Sequence, residues 1–215
     1  MASSPETIAR RAPRLYSELN LGLFEFVENC TKDGYPMMAK CSWQPEALIG
    51  FNYCRTTKTY DTGVHFFIDD YQFLRCWTRP HDQLPILAKF QGVLTPDFSL
   101  YRDMPLPLQK YNHYRQQLLG CFWQSQGMNV IPTISWSDKR SYKWCFQGMP
   151  QGGTHATTTI GVVRDKHTQN YWKAGLEAYL DRLQPDKLVI VGTPVKTNLL
   201  DGVDVYWINE RNWGK

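Results

Sequence analysis

Short apolar runs alternate along the chain with longer stretches in which apolar residues recur at helical spacing. Residues 93–95 and 130–136 are apolar, β-branched runs, and each predicts a strand. Between them, residues 105–126 carry apolar side chains near every third or fourth position, and Gly127 stands where a left-handed helix cap is expected. The segment 92–138 therefore predicts a strand, a helix and a second strand parallel to the first.

The same alternation continues on both sides of this unit. Further strands are predicted over residues 23–27, 47–52, 64–69, 157–163, 187–191 and 203–208, and further helices over residues 83–90 and 169–184. Helical segments separate the later strands, so these strands are expected to be parallel neighbours. Up to eight strands in this order predict an α/β fold, a parallel sheet of βα units with a compact or incomplete TIM-barrel-like form. An open parallel sheet is the alternative.

The chain predicts one folded domain with a short leading segment. Its 215 residues contain no Gly/Ser-rich or Pro-rich linker, so residues 21–215 are expected to form a single α/β domain. Residues 1–20 are polar and hold the one tight basic group, Arg10, Arg11 and Arg14. No helical period is evident there, and we expect a flexible basic N-terminal segment.

Composition and charge narrow the classes of function. A hydrophobic content of 42% excludes a disordered chain, and 8 Trp, 12 Tyr and 10 Phe suit a packed core or a surface on which bases and sugars stack. The net charge of +4 permits a nucleic-acid partner without requiring one, because the basic residues are scattered. The six cysteines form no CxxC pair, which argues against the common zinc and iron–sulfur motifs.

The sequence contains no sign of a membrane or secretion signal. Its N-terminus lacks the apolar core of a signal peptide, and no stretch approaches the roughly 18 apolar residues of a membrane span. We therefore expect a cytoplasmic protein with no membrane partner.

Four aspartates follow three successive predicted strands. Asp69 and Asp70 end the first, Asp97 follows the second and Asp138 follows the third. Because the carboxyl ends of parallel strands meet at one edge, Asp69, Asp70 and Asp97 are candidate acid/base groups. Asp69, Asp97 and Asp138 are candidate ligands of Mg²⁺ or Mn²⁺. The alternative is that each aspartate only caps a turn or helix.

Two serines and an arginine near the same strand ends are candidates for orienting a ligand. They are Ser99, Ser135 and Arg102. No GxSxG nucleophile elbow is present, so a serine hydrolase triad is not indicated.

Three further positions could contact a ligand directly. Trp136 could stack on a base or sugar, or pack in the core as a neighbour of Ile134. Gly161 and Gly192 end predicted strands, where glycine lets backbone amides approach a phosphate. A tight turn that needs glycine for its dihedral angles is the alternative for both.

Three motifs resemble the DUF4417 family, which is found in bacteria and in their phages and plasmids. They are VHFFIDDYQF at 64–73, LTPDFSLYRDMPLPLQKYNHYR at 94–115 and NVIPTISWSD at 129–138. The resemblance covers most of residues 45–195. It implies a gene of a mobile element, and work in the host cytoplasm if a phage encodes it, rather than a particular reaction.

Two functions from different classes follow. The leading hypothesis is a phage or mobile-element accessory enzyme that acts on a phosphate-bearing ligand, a nucleotide or nucleic acid, at the carboxyl ends of its strands. The alternative is a non-catalytic accessory protein, of a counter-defence or host-takeover type, that binds a host protein or nucleic acid. An enzyme would cluster ionisable side chains in one pocket, whereas a binding protein would present a flat apolar or basic patch.

Overall fold

The computed structural model describes residues 5–209, which have a mixed α/β architecture. Residues 1–4, the start of the predicted N-terminal segment, and residues 210–215 lie outside the described residues. The described strands are β1 (Leu48–Gly50), β2 (Gly63–His65), β3 (Gly92–Leu94), β4 (Val130–Ile131), β5 (Thr154–Thr158), β6 (Lys187–Val191) and β7 (Val205–Ile208). The α-helices are α1 (Pro5–Arg11), α2 (Pro13–Glu18), α3 (Asp70–Phe73), α4 (Arg75–Thr78), α5 (Pro80–Leu87), α6 (Leu106–Ser125) and α7 (Lys166–Leu183). Short 3₁₀ helices cover Leu21–Phe26, Phe51–Tyr53 and Ser141–Lys143.

The strands pair in chain order, and each of their pairings is parallel. One sheet has the order β1-β2-β3-β4 and a second has the order β5-β6-β7. A parallel bridge between Thr133 and Ala156 joins the two sheets, and there the backbone N–H of Ile134 donates to the Ala156 carbonyl at 2.7 Å. The predicted succession of parallel neighbours is confirmed.

The predicted central unit is present as β3, α6 and β4. Helix α6 has Pro107 in its first turn, where the missing N–H of proline leaves no helical bond unmade. It ends before Gly127, whose φ of +77° is the left-handed conformation expected of a helix cap. Phe122 of the helix packs in one buried cluster with Val93 and Val130 of the two strands. The helix is confirmed, and each end lies one residue inside the prediction.

Several predicted strands differ in the structure. Those over residues 64–69 and 130–136 are shortened to Gly63–His65 and Val130–Ile131, and two others are wrong or displaced. Residues 23–27 fall mostly in the 3₁₀ helix Leu21–Phe26, so that strand prediction is wrong. Its apolar run is too short for periodicity to distinguish the two structures. The strand predicted over residues 157–163 is displaced towards the N-terminus and ends at Thr158. Gly161 has a φ of +78°, which an extended strand does not accommodate.

The N-terminal segment contains two short helices where no helical period was evident. Helices α1 and α2 begin at Pro5 and Pro13, and both lie against the 3₁₀ helix Leu21–Phe26. Proline is favoured in the first helical turn because its φ is already helical. Proline in the first turn and packing against the 3₁₀ helix therefore account for these two helices, and an apolar stripe does not.

Apolar side chains on the two faces of the sheet have different neighbours. On one face, Val64 and Val93 pack with residues of α6. On the other, Leu48 of β1, Ile131 of β4 and Ile208 of β7 share one buried cluster that contains no helical residue. Since the first strand of one sheet and the last strand of the other contribute to the same buried cluster, the two sheets together curve around it.

A closed barrel is not confirmed. Within residues 5–209 no hydrogen-bonded ladder joins β7 to β1, and seven strands are present rather than eight. Across that gap, the Tyr206 hydroxyl donates to the Glu46 carbonyl at 3.3 Å. Among the described residues, no helix combines the length and apolar character needed to cross a membrane.

Candidate functional site

A cavity of about 690 Å³ opens at the carboxyl ends of β2 to β5, and we call it the strand-end cavity. Ligand sites of parallel sheets form at this end, because the loops that follow the strands converge there. Each of the four strands contributes a predicted site residue to its lining. These residues are Asp69 after β2, Asp97 after β3, Ser135 after β4 and Gly161 after β5. Ser99 and Trp136 line it as well.

Asp97, in the cavity lining, has a carboxyl group with a raised pKa. Its side chain is half-buried, and the Ser135 hydroxyl donates a hydrogen bond to its Oδ1 atom. Burial raises the pKa of Asp97 from an ordinary 3.8 to about 6, the hydrogen bond from Ser135 opposes this rise, and the negative charge of Asp70 adds to it. A carboxyl group with this pKa exchanges its proton close to neutral pH.

Ser99 connects the cavity wall to Asp70. Its hydroxyl donates to Oδ1 of Asp70 at 2.7 Å, and its backbone N–H donates to Oδ2 at 3.2 Å. Behind Ser99, the Asn112 amide donates to the Ser99 carbonyl at 2.7 Å and accepts from Nη2 of Arg115 at 2.8 Å. The Arg115 guanidinium lies 3.7 Å from the centroid of the Phe98 ring. This network fixes Ser99, while Asp70 is not one of the residues that line the cavity.

Aromatic side chains form another part of the wall. The ring centroids of Trp136 and Trp172 lie 6.4 Å apart. The Trp136 indole lies against Gly175 of α7, where any Cβ atom would collide with it. Trp172 is fixed by its Nε1–H, which donates to the Thr158 carbonyl at 3.0 Å. Tyr101 lines the cavity with 63% of its surface exposed, so it stands at the rim.

Asp138 lies outside the strand-end cavity and is engaged by its own turn. Nη2 of Arg140 donates to its Oδ2 at 2.7 Å, and the Arg140 backbone N–H donates to its Oδ1 at 2.9 Å. The hydrogen bond from Arg140 holds the pKa of Asp138 below its usual value. Its carbonyl also accepts the Ser141 hydroxyl at 2.7 Å. Asp138 thus caps its own turn, which was the alternative to its role as a metal ligand.

The three predicted metal ligands do not fit a metal site built by the protein alone. Among residues 5–209, no three His, Cys, Asp or Glu side chains are grouped so that they could hold a metal ion. The Asp138 carboxylate is bound by Arg140, and one oxygen of Asp97 is bound by Ser135. Asp69 is exposed at the edge of the cavity.

Two predicted ligand contacts lie away from the cavity lining. The Arg102 guanidinium is exposed and lies 4.4 Å from the centroid of the Tyr171 ring. Gly192 is buried with a φ of +120°, and a Cβ atom there would lie 2.7 Å from Oγ1 of Thr159. Backbone conformation and close packing account for glycine at this position.

The cavity also has lining residues that the sequence did not single out. Thr157 and Thr158 bring hydroxyl groups at the end of β5, Gln72 comes from α3 and Tyr101 from the loop after β3. The apolar and β-branched pattern predicted a strand over residues 157–163 but not that its threonines lie at a cavity. Trp172 is 5% exposed, and its helical spacing indicated only a core residue.

Comparison with known proteins finds relatives in mycobacteriophages. The chain is 43% identical over 130 residues to the Gene 1 protein of Mycobacterium phage D29, a match that covers 60% of this chain and 48% of the relative. It is 37% identical over 156 residues to the Gene 1 protein of Mycobacterium phage L5, covering 70% of this chain and 68% of the relative. The chain therefore spans about half the length of the first relative. No solved structure gives a significant match.

The family assignment rests on most of the chain. A family model described as a domain of unknown function (DUF4417) matches residues 27–206, which include the strand-end cavity and all three motifs that carried the resemblance. The resemblance is confirmed, and the match begins before residue 45, where the resemblance was expected to start. The chain belongs to the DUF4417 family.

Proposed function

We propose that this protein is a phage or mobile-element accessory enzyme that binds a nucleotide or a nucleic-acid strand in the strand-end cavity and acts on it by proton transfer through Asp97. One observation carries the proposal. A half-buried carboxyl group whose pKa is about 6 lies in the wall of the strand-end cavity, a space of about 690 Å³. Carboxyl groups with raised pKa values in clefts are typical of acid/base catalysts.

Asp97 has the protonation state of a general base at neutral pH. With a pKa of about 6 it is mostly ionised at pH 7, yet it holds a proton more strongly than an ordinary aspartate. Oδ1 accepts the Ser135 hydroxyl, which leaves Oδ2 to accept a proton from a ligand hydroxyl or from water. The oxygen that loses this proton attacks a phosphorus or carbon atom of the ligand, and the bond from that atom to the leaving group breaks. The proton held by Asp97 then passes to the leaving group. Ser135 acts as a positioning residue.

The lining of the cavity favours the nucleoside part of such a ligand. Trp136 and Tyr101 provide aromatic surface for stacking. The Thr157 hydroxyl donates to the Ile134 carbonyl at 3.0 Å, which leaves its oxygen to accept a hydrogen bond from a ligand. The described lining includes two carboxylates and no Lys, Arg or His. A neutral base or sugar therefore suits this space better than a bare phosphate group.

Calorimetric titration with mononucleotides and short single-stranded oligonucleotides tests the binding step. Removing one stacking aromatic weakens binding by about 1–3 kcal/mol, so Trp136→Ala should lower affinity by about 5- to 150-fold. Tyr60→Ala is the control, because Tyr60 precedes β2 and is not part of the cavity lining. Equal affinities of Trp136→Ala and the parent for every ligand would show that these ligands do not bind against Trp136 in the strand-end cavity.

One observation favours the non-catalytic alternative. Tyr71 and Tyr101 are 76% and 63% exposed, and exposed aromatics of this kind are common anchors in protein and nucleic-acid interfaces. ³¹P NMR of a bound nucleotide, followed over hours, separates the two functions. New phosphorus signals that the Asp97→Asn variant does not produce identify an enzyme, whereas unchanged bound ligand identifies a binding protein.

A further inference from the structure

A second, smaller cavity adjoins the strand-end cavity and carries two arginines, and we call it the arginine pocket. It has a volume of about 190 Å³ and is lined by residues that include Asn52, Arg55, Arg75 and Gln83. Gln72 lines both cavities, so the two lie side by side. The arginine pocket is formed by the segments that follow β1 and β2, at the same end of the sheet.

The arginine pocket has positive charge that no lining residue neutralises. Its lining contains Arg55 and Arg75 and no Asp or Glu. In the described part of the chain, neither arginine forms an ion pair; the pairs found there join Arg14 to Glu18 and Arg140 to Asp138. Two guanidinium groups around one concavity repel each other, and an anion between them removes this repulsion.

A buried amide provides a second, independent indication of a ligand. Gln83 is only 2% exposed, and its Oε1 accepts a hydrogen bond from Nη2 of Arg55 at 3.3 Å. With Oε1 bound by Arg55, the Nε2 group of Gln83 is left as a donor, and within residues 5–209 no protein acceptor is found for it. Because Gln83 lines the pocket, an acceptor atom of a ligand there could pair with this donor. The pocket therefore offers cationic and neutral donors to one acceptor-rich group.

The remaining chemistry of the pocket indicates binding rather than reaction. Cys54 is its one thiol, and burial raises the pKa of that thiol to about 12, so it stays protonated and is a poor nucleophile. The volume lies below the roughly 300 Å³ at which pockets begin to hold whole drug-sized ligands. A small anionic group fits this description.

We propose that the arginine pocket binds a phosphate group of the ligand whose nucleoside occupies the strand-end cavity. The inference rests on the proposed function and deepens it, because it divides the ligand between two adjacent cavities. The strand-end cavity holds Asp69 and Asp97, which repel a phosphate, whereas Arg55 and Arg75 attract one. Guanidinium groups match phosphate oxygens in both charge and geometry.

Calorimetric titration with three probes tests the inference: inorganic phosphate, a nucleoside, and the corresponding 5′-mononucleotide. The mononucleotide should bind at least tenfold more tightly than the nucleoside, with an advantage that shrinks as salt is added. Arg75→Gln should abolish most of this advantage. The Arg75 side chain is exposed and forms no hydrogen bond within residues 5–209, so the variant should fold normally. Arg79→Gln is the matched control, since it removes the same charge from an exposed residue outside the pocket.

The outcomes separate this inference from the proposed function. Equal affinities for nucleoside and mononucleotide would overturn the phosphate pocket and leave the strand-end cavity standing. Binding of inorganic phosphate that depends on Arg75, with no binding of the nucleoside, would support the pocket and count against nucleoside binding in the cavity. An equal loss of affinity in Arg75→Gln and Arg79→Gln would show general charge attraction and refute the pocket. Absence of binding by all three probes would refute both.

Discussion

Replacing Asp97 by Asn should stabilise the protein at alkaline pH, because it removes a carboxyl group that ionises at a cost in the folded state. The pKa of Asp97 is raised in the folded protein, so folded Asp97 binds a proton more strongly than unfolded Asp97. Between the ordinary pKa of 3.8 and the folded value of about 6, the folded state therefore holds more protons, and stability falls as pH rises through this window. Asparagine retains an oxygen that can accept the Ser135 hydroxyl.

The pKa shift of Asp97 determines how much the substitution should change the free energy of unfolding. A rise from 3.8 to about 6 corresponds to a destabilisation of about 3 kcal/mol well above pH 6, and to about half of that at pH 5. The side chain is only half-buried, so screening by solvent lowers these figures. We expect Asp97→Asn to be more stable than the parent by about 1–3 kcal/mol at pH 8 and by distinctly less at pH 5.

Urea denaturation of both proteins at pH 5, 6, 7 and 8 measures this difference. The parent should lose stability between pH 5 and 7, and this part of the pH dependence should be absent from the variant. Ser135→Ala provides a matched control, since it removes the hydrogen bond but keeps the carboxyl group. A variant that is less stable than the parent at pH 8 would refute the reasoning and make Asp97 a purely structural acceptor.

Three further predictions concern the surroundings of the site. Gly175→Ala should destabilise the protein by about 1–3 kcal/mol in thermal melting, because the added Cβ collides with Trp136; an unchanged melting temperature would contradict that packing. Gln116→Leu should lower the free energy of unfolding by about 1–3 kcal/mol in urea denaturation, because the buried Gln116 amide, 3% exposed, donates to the Thr95 hydroxyl at 3.0 Å. An unchanged free energy of unfolding would show that this buried hydrogen bond is dispensable. Asp138→Asn should change the free energy of unfolding by less than about 1 kcal/mol and leave nucleotide affinity unaltered. Weaker nucleotide binding by this variant would show that Asp138 contributes to the site.

The order of the later strands was predictable because their apolar runs alternate with helical segments along the chain. The strand over residues 187–191 is found with the same ends in the structure, and it is buried at all but its first position. Proline and glycine made other ends harder to place. Pro132 has no N–H to donate, and β4 ends at Ile131, well before the end of its apolar run. Beyond Pro132, strand pairing continues only as the isolated parallel bridge between Thr133 and Ala156.

The site was predictable to the extent that strand ends converge. Parallel order brings Asp69, Asp97 and Ser135 to one cavity, and this depends only on topology. The direction of each side chain depends on local hydrogen bonds that the sequence does not display. Thus the Asp70 carboxylate accepts a hydrogen bond from Ser99 and lies outside the lining, and Arg140 binds the Asp138 carboxylate within its own turn.

The arginine pocket was not predictable from the sequence for a related reason. Arg55 and Arg75 are separated by β2 and by the loops around it, and neither belongs to a basic cluster. Only the packing of α5 against α4 brings Gln83 beside them. Charge patterning along the chain therefore pointed to the N-terminal arginines instead.

A crystal structure of the chain with a bound 5′-mononucleotide tests the central claim most directly. We expect ordered ligand density in the strand-end cavity, with the base against Trp136, the sugar within hydrogen-bond reach of Asp97 and the phosphate towards Arg75. An ordered nucleotide at any other surface, with the strand-end cavity left empty, would contradict this placement.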